Sequence, residues 1–177
     1  MQGALAAVAR MQQEGLADPA RRVEIRLLKA SPAAEVREIE LGAGRPISIV
    51  RDPTGAHAMV LAERGIVLVG TGDLAAEPPF GVMGANAAAF RPDGQRLAVA
   101  MNDGTVLLVQ APPKRADGTQ DWKAAFSVAR RLTGHAAAAR TIAWSADGTR
   151  LASGDAAGAV RLWDGADGSP VRTIAAA

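Results

Sequence analysis

Three stretches of the chain superimpose without a gap: GAHAMVLAERGIVLVGT (55–71), GQRLAVAMNDGTVLLVQ (94–110) and GTRLASGDAAGAVRLWD (148–164). Each runs from one glycine to another ten residues on: Gly55 to Gly65, Gly94 to Gly104 and Gly148 to Gly158. Such repetition constrains the fold strongly, because one short unit cannot bury its own apolar face and must stack on the next. A turn cluster precedes each first glycine: RDPT, then FRPD with Asp93, then WSAD with Asp147. In such clusters Pro fixes φ, Asp bonds back to the backbone and Gly accepts positive φ. Short apolar stretches come before the turns, at ISIV (47–50), AAAF (87–90) and TIAW (141–144). Each unit therefore reads as strand, turn, strand, tight turn, strand. Apolar runs this short, bounded by Gly, Pro and Asp, indicate antiparallel hairpins rather than helices.

A fourth strand is expected in each unit. In the last it is PVRTI (170–174), and in the middle one AFSVARRL (125–132), after the polar loop 111–123. In the first it falls around PFGVM (79–83). The glycine spacing is 39 residues from Gly55 to Gly94 and 54 from Gly94 to Gly148, and the polar loop accounts for the excess as a surface insertion. IRLLKASPAAEVREI (25–39) aligns with VRLWDGADGSPVRTI (160–174), so Ile25 matches Val160, Leu28 matches Trp163 and Ile39 matches Ile174. Four segments follow. Residues 1–41 form a partial first unit with strands at 23–30 and 35–41 and a loop at 10–22; 42–83 form a degenerate unit; 84–133 hold the insertion; 134–177 are the best preserved. Residues 4–9 fit either a strand or, given their alanines, an amphipathic helix. Four-stranded units of about 40 residues with almost no helix indicate an all-β chain, a partial β-propeller of about three and a half to four antiparallel blades.

Residues 134–174 resemble a WD repeat: a Gly-His opening, an aromatic before the SADG turn, LASG, and a closing LWD. Residues 84–110 resemble the family more weakly, through FRPDG, RLAVA and NDG, and 23–71 are degenerate. The resemblance implies a polar network within a blade: a loop His, a Ser or Thr on the second strand, an Asp in the next hairpin, and the Trp. Carried over, the last unit supplies His135, Ser153 and Trp163, but the Asp place is Ala157. The middle unit has Asp103 yet Val99 and Val109 in the Ser and Trp places. In the first unit Arg64, Val60 and Gly70 stand there. No unit has the full set, so His135 is expected to lack an acceptor and Trp163 to act mainly by packing. Asp155 lies two residues from the expected place and would need a shifted turn.

Composition excludes several functions. With 20 basic and 18 acidic residues, net charge +2, the chain is too balanced for a nucleic-acid or polybasic membrane surface. Arg130, Arg131 and Arg140 form its densest basic patch, without interleaved aromatics, as a solvated blade edge would. No stretch reaches the roughly 18–20 apolar residues of a membrane span, and the N-terminus makes a poor secretory signal. There is no cysteine, which suits a cytoplasmic setting. The two histidines, His57 and His135, have no zinc-site spacing; His57 is expected on an exposed strand and His135 in a structural loop role. Ser145, Asp147 and His135 can be drawn as a triad, but no nucleophile elbow supports it. DGADGS (164–169) lacks a calcium loop's spaced ligands, and GAGRP (42–46) and GVMGAN (81–86) lack a phosphate loop's ending. No cofactor, metal or catalytic residue is expected.

The expectation is thus a non-catalytic protein-interaction scaffold, with contacts on the loops 62–64, 101–103, 134–139 and 155–157. Alternatives are a regulatory propeller of a multidomain bacterial kinase or NTPase, and a propeller hydrolase, for which the inner strands offer no carboxylate or His. Fewer than four complete blades leave open faces. The chain is therefore expected to be a fragment of a longer propeller, to self-associate, or to close as a small ring.

Overall fold

The computed structural model describes residues 6–9, 23–28, 37–39, 43–70, 81–113 and 126–174. All of their regular structure is β-strand, and the chain divides into two compact units, 1–81 and 82–177.

In the first unit β1 (Ala6–Ala9), β2 (Val23–Leu28) and β3 (Arg37–Ile39) form one antiparallel sheet. The 4–9 segment, open between helix and strand from sequence, has strand structure at 6–9, with Ala6 opposite Leu28. A second sheet joins β4 (Pro46–Arg51), β5 (His57–Ala62) and β6 (Gly65–Gly70) in order. Its β5 and β6 are uninterrupted apolar runs, HAMVLA and GIVLVG, buried on both faces from Ala58 to Val69 apart from the turn residues Glu63 and Arg64. A strand covered on both sides reads this way, whereas a half-exposed one alternates. Of the fourth strand expected at 79–83, residues 81–83 lie in a loop and turn, and 79–80 fall outside the described residues. Residues 114–123 of the insertion, and 124–125 after it, also fall outside them.

The second unit holds two complete four-stranded sheets. One runs β7 (Ala85–Phe90), β8 (Arg96–Met101), β9 (Val106–Gln110), β10 (Ser127–Leu132). The other runs β11 (Ala139–Trp144), β12 (Arg150–Asp155), β13 (Val160–Asp164), β14 (Pro170–Ile174). Both are up-and-down meanders, each strand pairing with its sequence neighbour.

The repeated glycines set the turns. Gly55, Gly94 and Gly148 have φ of 74°, 73° and 69°, and each N–H donates to the carbonyl three residues back, of Asp52, Arg91 and Ser145. Asp93 and Asp147 accept the N–H two residues on, from Gln95 and Thr149, which fixes these turns. In the first unit Asp52, 2% exposed, does this work by accepting from His57 N and Thr54 Oγ1. His57 itself is half-buried rather than exposed, at the start of β5 where it pairs across to Gly70.

The first and second strands share one irregularity. Register slips by one residue at Ile47, Asn86 and Arg140, between the pairs of Pro46 and Ser48, Ala85 and Ala87, and Ala139 and Thr141. Such a bulge turns its extra residue out of the ladder.

The two sheets of the second unit pack face to face through Ala98, Ala100, Val106, Leu108 and Leu132 on one side and Ala139, Leu151 and Trp163 on the other, with Ala87, Ile142 and Trp144 at the margin. Small residues on β8 let the aromatic of β13 approach, as interdigitated packing requires. Glycines serve the same contact: a Cβ on Gly104 would lie 2.8 Å from the Ala137 carbonyl oxygen, and one on Gly168 would lie 2.5 Å from Leu132 Cδ2.

Candidate functional site

The most organised polar cluster lies inside β11–β14. The alternation of β12 sends Leu151, Ser153 and Asp155 to one face, and all three are buried. Across the ladder Leu151 stands opposite Trp163, so Trp163 joins that face. His135, from the loop between β10 and β11, reaches in from the side.

Four side chains then connect in one direction. Asp155 Oδ2 accepts from His135 Nδ1 at 2.9 Å. His135 Nε2 lies 2.7 Å from Ser153 Oγ. Ser153 Oγ accepts the indole N–H of Trp163 at 2.8 Å. The carboxylate only accepts, and the indole only donates. A neutral His135 protonated at Nδ1 therefore satisfies every link, with the Ser153 hydroxyl donating to Nε2. Asp155 Oδ1 accepts from Ala157 N at 3.0 Å and Ala159 N at 2.9 Å, which ties the chain to the hairpin. His135 and Asp155 side chains are 0% and 1% exposed. The His135 ring also meets Trp163 edge-on, at 6.2 Å between centroids, and Arg161 lies over the indole at 5.8 Å.

The expectation that His135 lacks an acceptor is corrected: Asp155 supplies it. No shifted turn is involved. The β12–β13 hairpin bonds as the β8–β9 hairpin does, with Gly158 N–H to Asp155 O matching Gly104 N–H to Met101 O. Asp155 instead works from the strand end, on the face that Ser153 already defines. Asp103 does not join this chain; it accepts from Thr105 N and Thr105 Oγ1 in its own turn. Trp163 is accordingly both packed and hydrogen-bonded.

Burial pushes the Asp155 carboxyl up, but the N–H of Ala159, then His135, then the N–H of Ala157 outweigh it and hold it below the ordinary value. Asp147 is held down to about 2 by the Ser145 hydroxyl first, then by the N–H and hydroxyl of Thr149.

Ser153, His135 and Asp155 have the connectivity of a hydrolytic triad, yet the site cannot act as one. The serine is 2% exposed and its oxygen already accepts from an indole. The other drawn triad does not assemble: Ser145 Oγ donates to Asp147 Oδ1 within one turn, while His135 is engaged by Asp155 and Ser153. Among the described residues no group of three His, Cys, Asp or Glu could hold a metal ion, and no helix is long and apolar enough to cross a membrane.

The three arginines of the basic patch are largely tied down. Arg130 Nη1 donates to the Asp167 carbonyl and Arg140 Nη1 to Asn86 Oδ1 at 3.3 Å, while Arg131 is exposed. Several bridges between the two sheets were not signalled by the repeat pattern. Trp144 Nε1 donates to the Ala89 carbonyl at 3.0 Å, and Asn86 Nδ2 to the Ala139 carbonyl at 2.7 Å. Arg96 Nη1 donates to the carbonyls of Gly165, at 3.1 Å, and Ala166. The loops of one rim touch in sequence: Asn102 N–H donates to Gly84 O, Gly104 abuts Ala137, and Ala156 N–H donates to Ala138 O.

Successive four-stranded meanders packed face to face define a blade protein, an all-β partial propeller. The family model described as WD domain, G-beta repeat matches residues 126–164, so this blade is similar to a WD repeat. No curated protein matches the sequence. WD repeats in general serve protein–protein interaction and are generally non-catalytic.

Proposed function

We propose that this protein is a non-catalytic, cytoplasmic interaction scaffold, and that its partner contacts lie on the loop rim of the second unit. What supports this reading is the sealing of Ser153–His135–Asp155: the one nucleophile-like set among the described residues is spent on holding a blade together. Buried networks of this kind rigidify a frame. The rim beside it is continuous and exposed at Met83, Asn102, Asp103, Ala136, Ala156 and Ala157. Its side chains are small, apolar or neutral but for Asp103, which suits a partner recognised by shape more than by charge.

Affinity capture with the full chain tests this. A partner should be retained by the wild type and lost by Met83→Glu combined with Ala156→Arg, two exposed sites whose side chains take no part in the buried network. Capture unchanged by that pair would refute the rim assignment. Self-association belongs to the same proposal.

A further inference from the structure

The bulges at the head of β7 and β11 bring two polar residues together beside the loop rim. Register slips at Asn86 and at Arg140, one residue after the first pair of each strand. Both strands stand at the end of their sheets, and they lie against each other. Asn86 ties them: its Nδ2 donates to the Ala139 carbonyl at 2.7 Å, and its Oδ1 accepts from Arg140 Nη1 at 3.3 Å. The first bond fixes which way the amide points, so its oxygen is held toward the guanidinium.

Arg140 keeps an unspent charge. It is exposed, and among the described residues no carboxylate pairs with it. One of its five N–H groups goes to Asn86, and four remain. It is the single charged residue of β7 and β11, which read ANAAAF and ARTIAW. Residues 136–139, just before it, are all alanine, so the chain leading from the rim loop carries no large side chain there. Arg130 and Arg131 stand on β10, at the far end of the sheet from β7, about 14 Å away at the usual strand spacing. An isolated planar fork among small neutral residues fits one carboxylate, held by two parallel N–H bonds. A phosphate group, with up to twice the charge, calls for the clustered cations that this edge lacks.

We propose that Arg140 is the charged anchor of the rim and receives an Asp or Glu side chain of the partner protein. The inference rests on the scaffold reading above and adds one chemical requirement to it. The neutral rim selects a partner by shape, and Arg140 selects those that carry a carboxylate at this point.

Affinity selection of a random synthetic peptide library on the full chain tests this, with peptides acetylated and amidated so that only side chains supply carboxylates. The retained peptides should share an Asp or Glu. Changing that residue to Asn or Gln should weaken binding roughly 10-fold or more, and so should Arg140→Gln in the protein. Both changes together should weaken it little more than either alone, because each removes the same contact. Arg140→Lys keeps the charge without the fork and should fall between. Urea midpoints check folding, and Arg140→Lys takes the place of Arg140→Gln if that variant unfolds. Retained peptides with no shared carboxylate, or losses that multiply independently, overturn the inference. Binding lost with the Met83→Glu and Ala156→Arg pair but unmoved at Arg140 overturns the anchor and leaves the rim reading standing. A library from which nothing is retained also overturns the anchor, while the rim reading is decided by the capture experiment.

Discussion

Ser153→Ala is the sharpest probe of the blade. The hydroxyl accepts from Trp163 Nε1 and contacts His135 Nε2, at 2.8 and 2.7 Å. Its removal strands two polar atoms in a site where Trp163 is 2% exposed and the His135 side chain is fully buried. A stranded buried polar group costs about 1–3 kcal/mol, so the pair should cost about 2–6 kcal/mol. For a chain of this length that lowers the thermal midpoint by about 4–24 °C. Trp163→Phe alone loses ring area and one hydrogen bond. In the Ser153→Ala background that bond is already gone, so Trp163→Phe should cost less there. Urea unfolding of the four proteins gives the coupling energy, expected at about 1 kcal/mol or more. If the two effects add to within about 0.3–0.5 kcal/mol, Trp163 acts by packing alone and the network reading fails.

Other outcomes follow from separate features. Gly104→Ala meets both a φ of 80° and the Ala137 carbonyl oxygen, whereas Gly84→Ala shares the φ but has nothing nearer than Asn102 Cβ at 3.7 Å; the first should cost about 2 kcal/mol or more and the second about 1, and equal urea midpoints would refute the steric argument. Trp144→Phe leaves the Ala89 carbonyl without its indole donor and should cost about 1 kcal/mol beyond the lost area, seen as a lower urea midpoint. The carboxyls of Asp147 and Asp155 bind protons more weakly folded than unfolded. Their stabilisation is therefore complete above the ordinary value of 3.8 and is lost as pH falls through the folded values. The urea midpoint should be flat above about pH 5 and fall toward about pH 2, less steeply in Asp147→Asn; an equally steep fall in that variant would refute the Asp147 contribution.

The strands were legible because glycine spacing and turn chemistry are local. Gly94 and Gly148 carry their register in their own φ, and Asp93 and Asp147 in bonds two residues long. Asp155 was missed for a related reason. Counting back from Gly158 points to Ala157, while alternation forward from Leu151 and Ser153 points to Asp155. The second signal was present in the sequence and physically stronger, because strand faces are fixed by pleat geometry and turn positions are not. The bridges from Trp144, Asn86 and Arg96 were not legible, since each joins residues more than 50 positions apart and depends on how two blades meet. Burial of β5 and β6 on both faces could be read from their apolar runs, but not what covers them.

The one-way chain from Trp163 to Asp155 also bears on how the blade comes apart. Its members come from the loop before β11, from two places on β12, and from β13. Peeling any one of these away breaks a link that the rest need, so partial opening exposes the whole set at once. Such closure joins the loop before β11, β12 and β13 into a single cooperative unit. Amide protons of Ala157 and Ala159, which sit in a surface turn, should consequently exchange with the slow kinetics of the strands on either side, not with those of a loop.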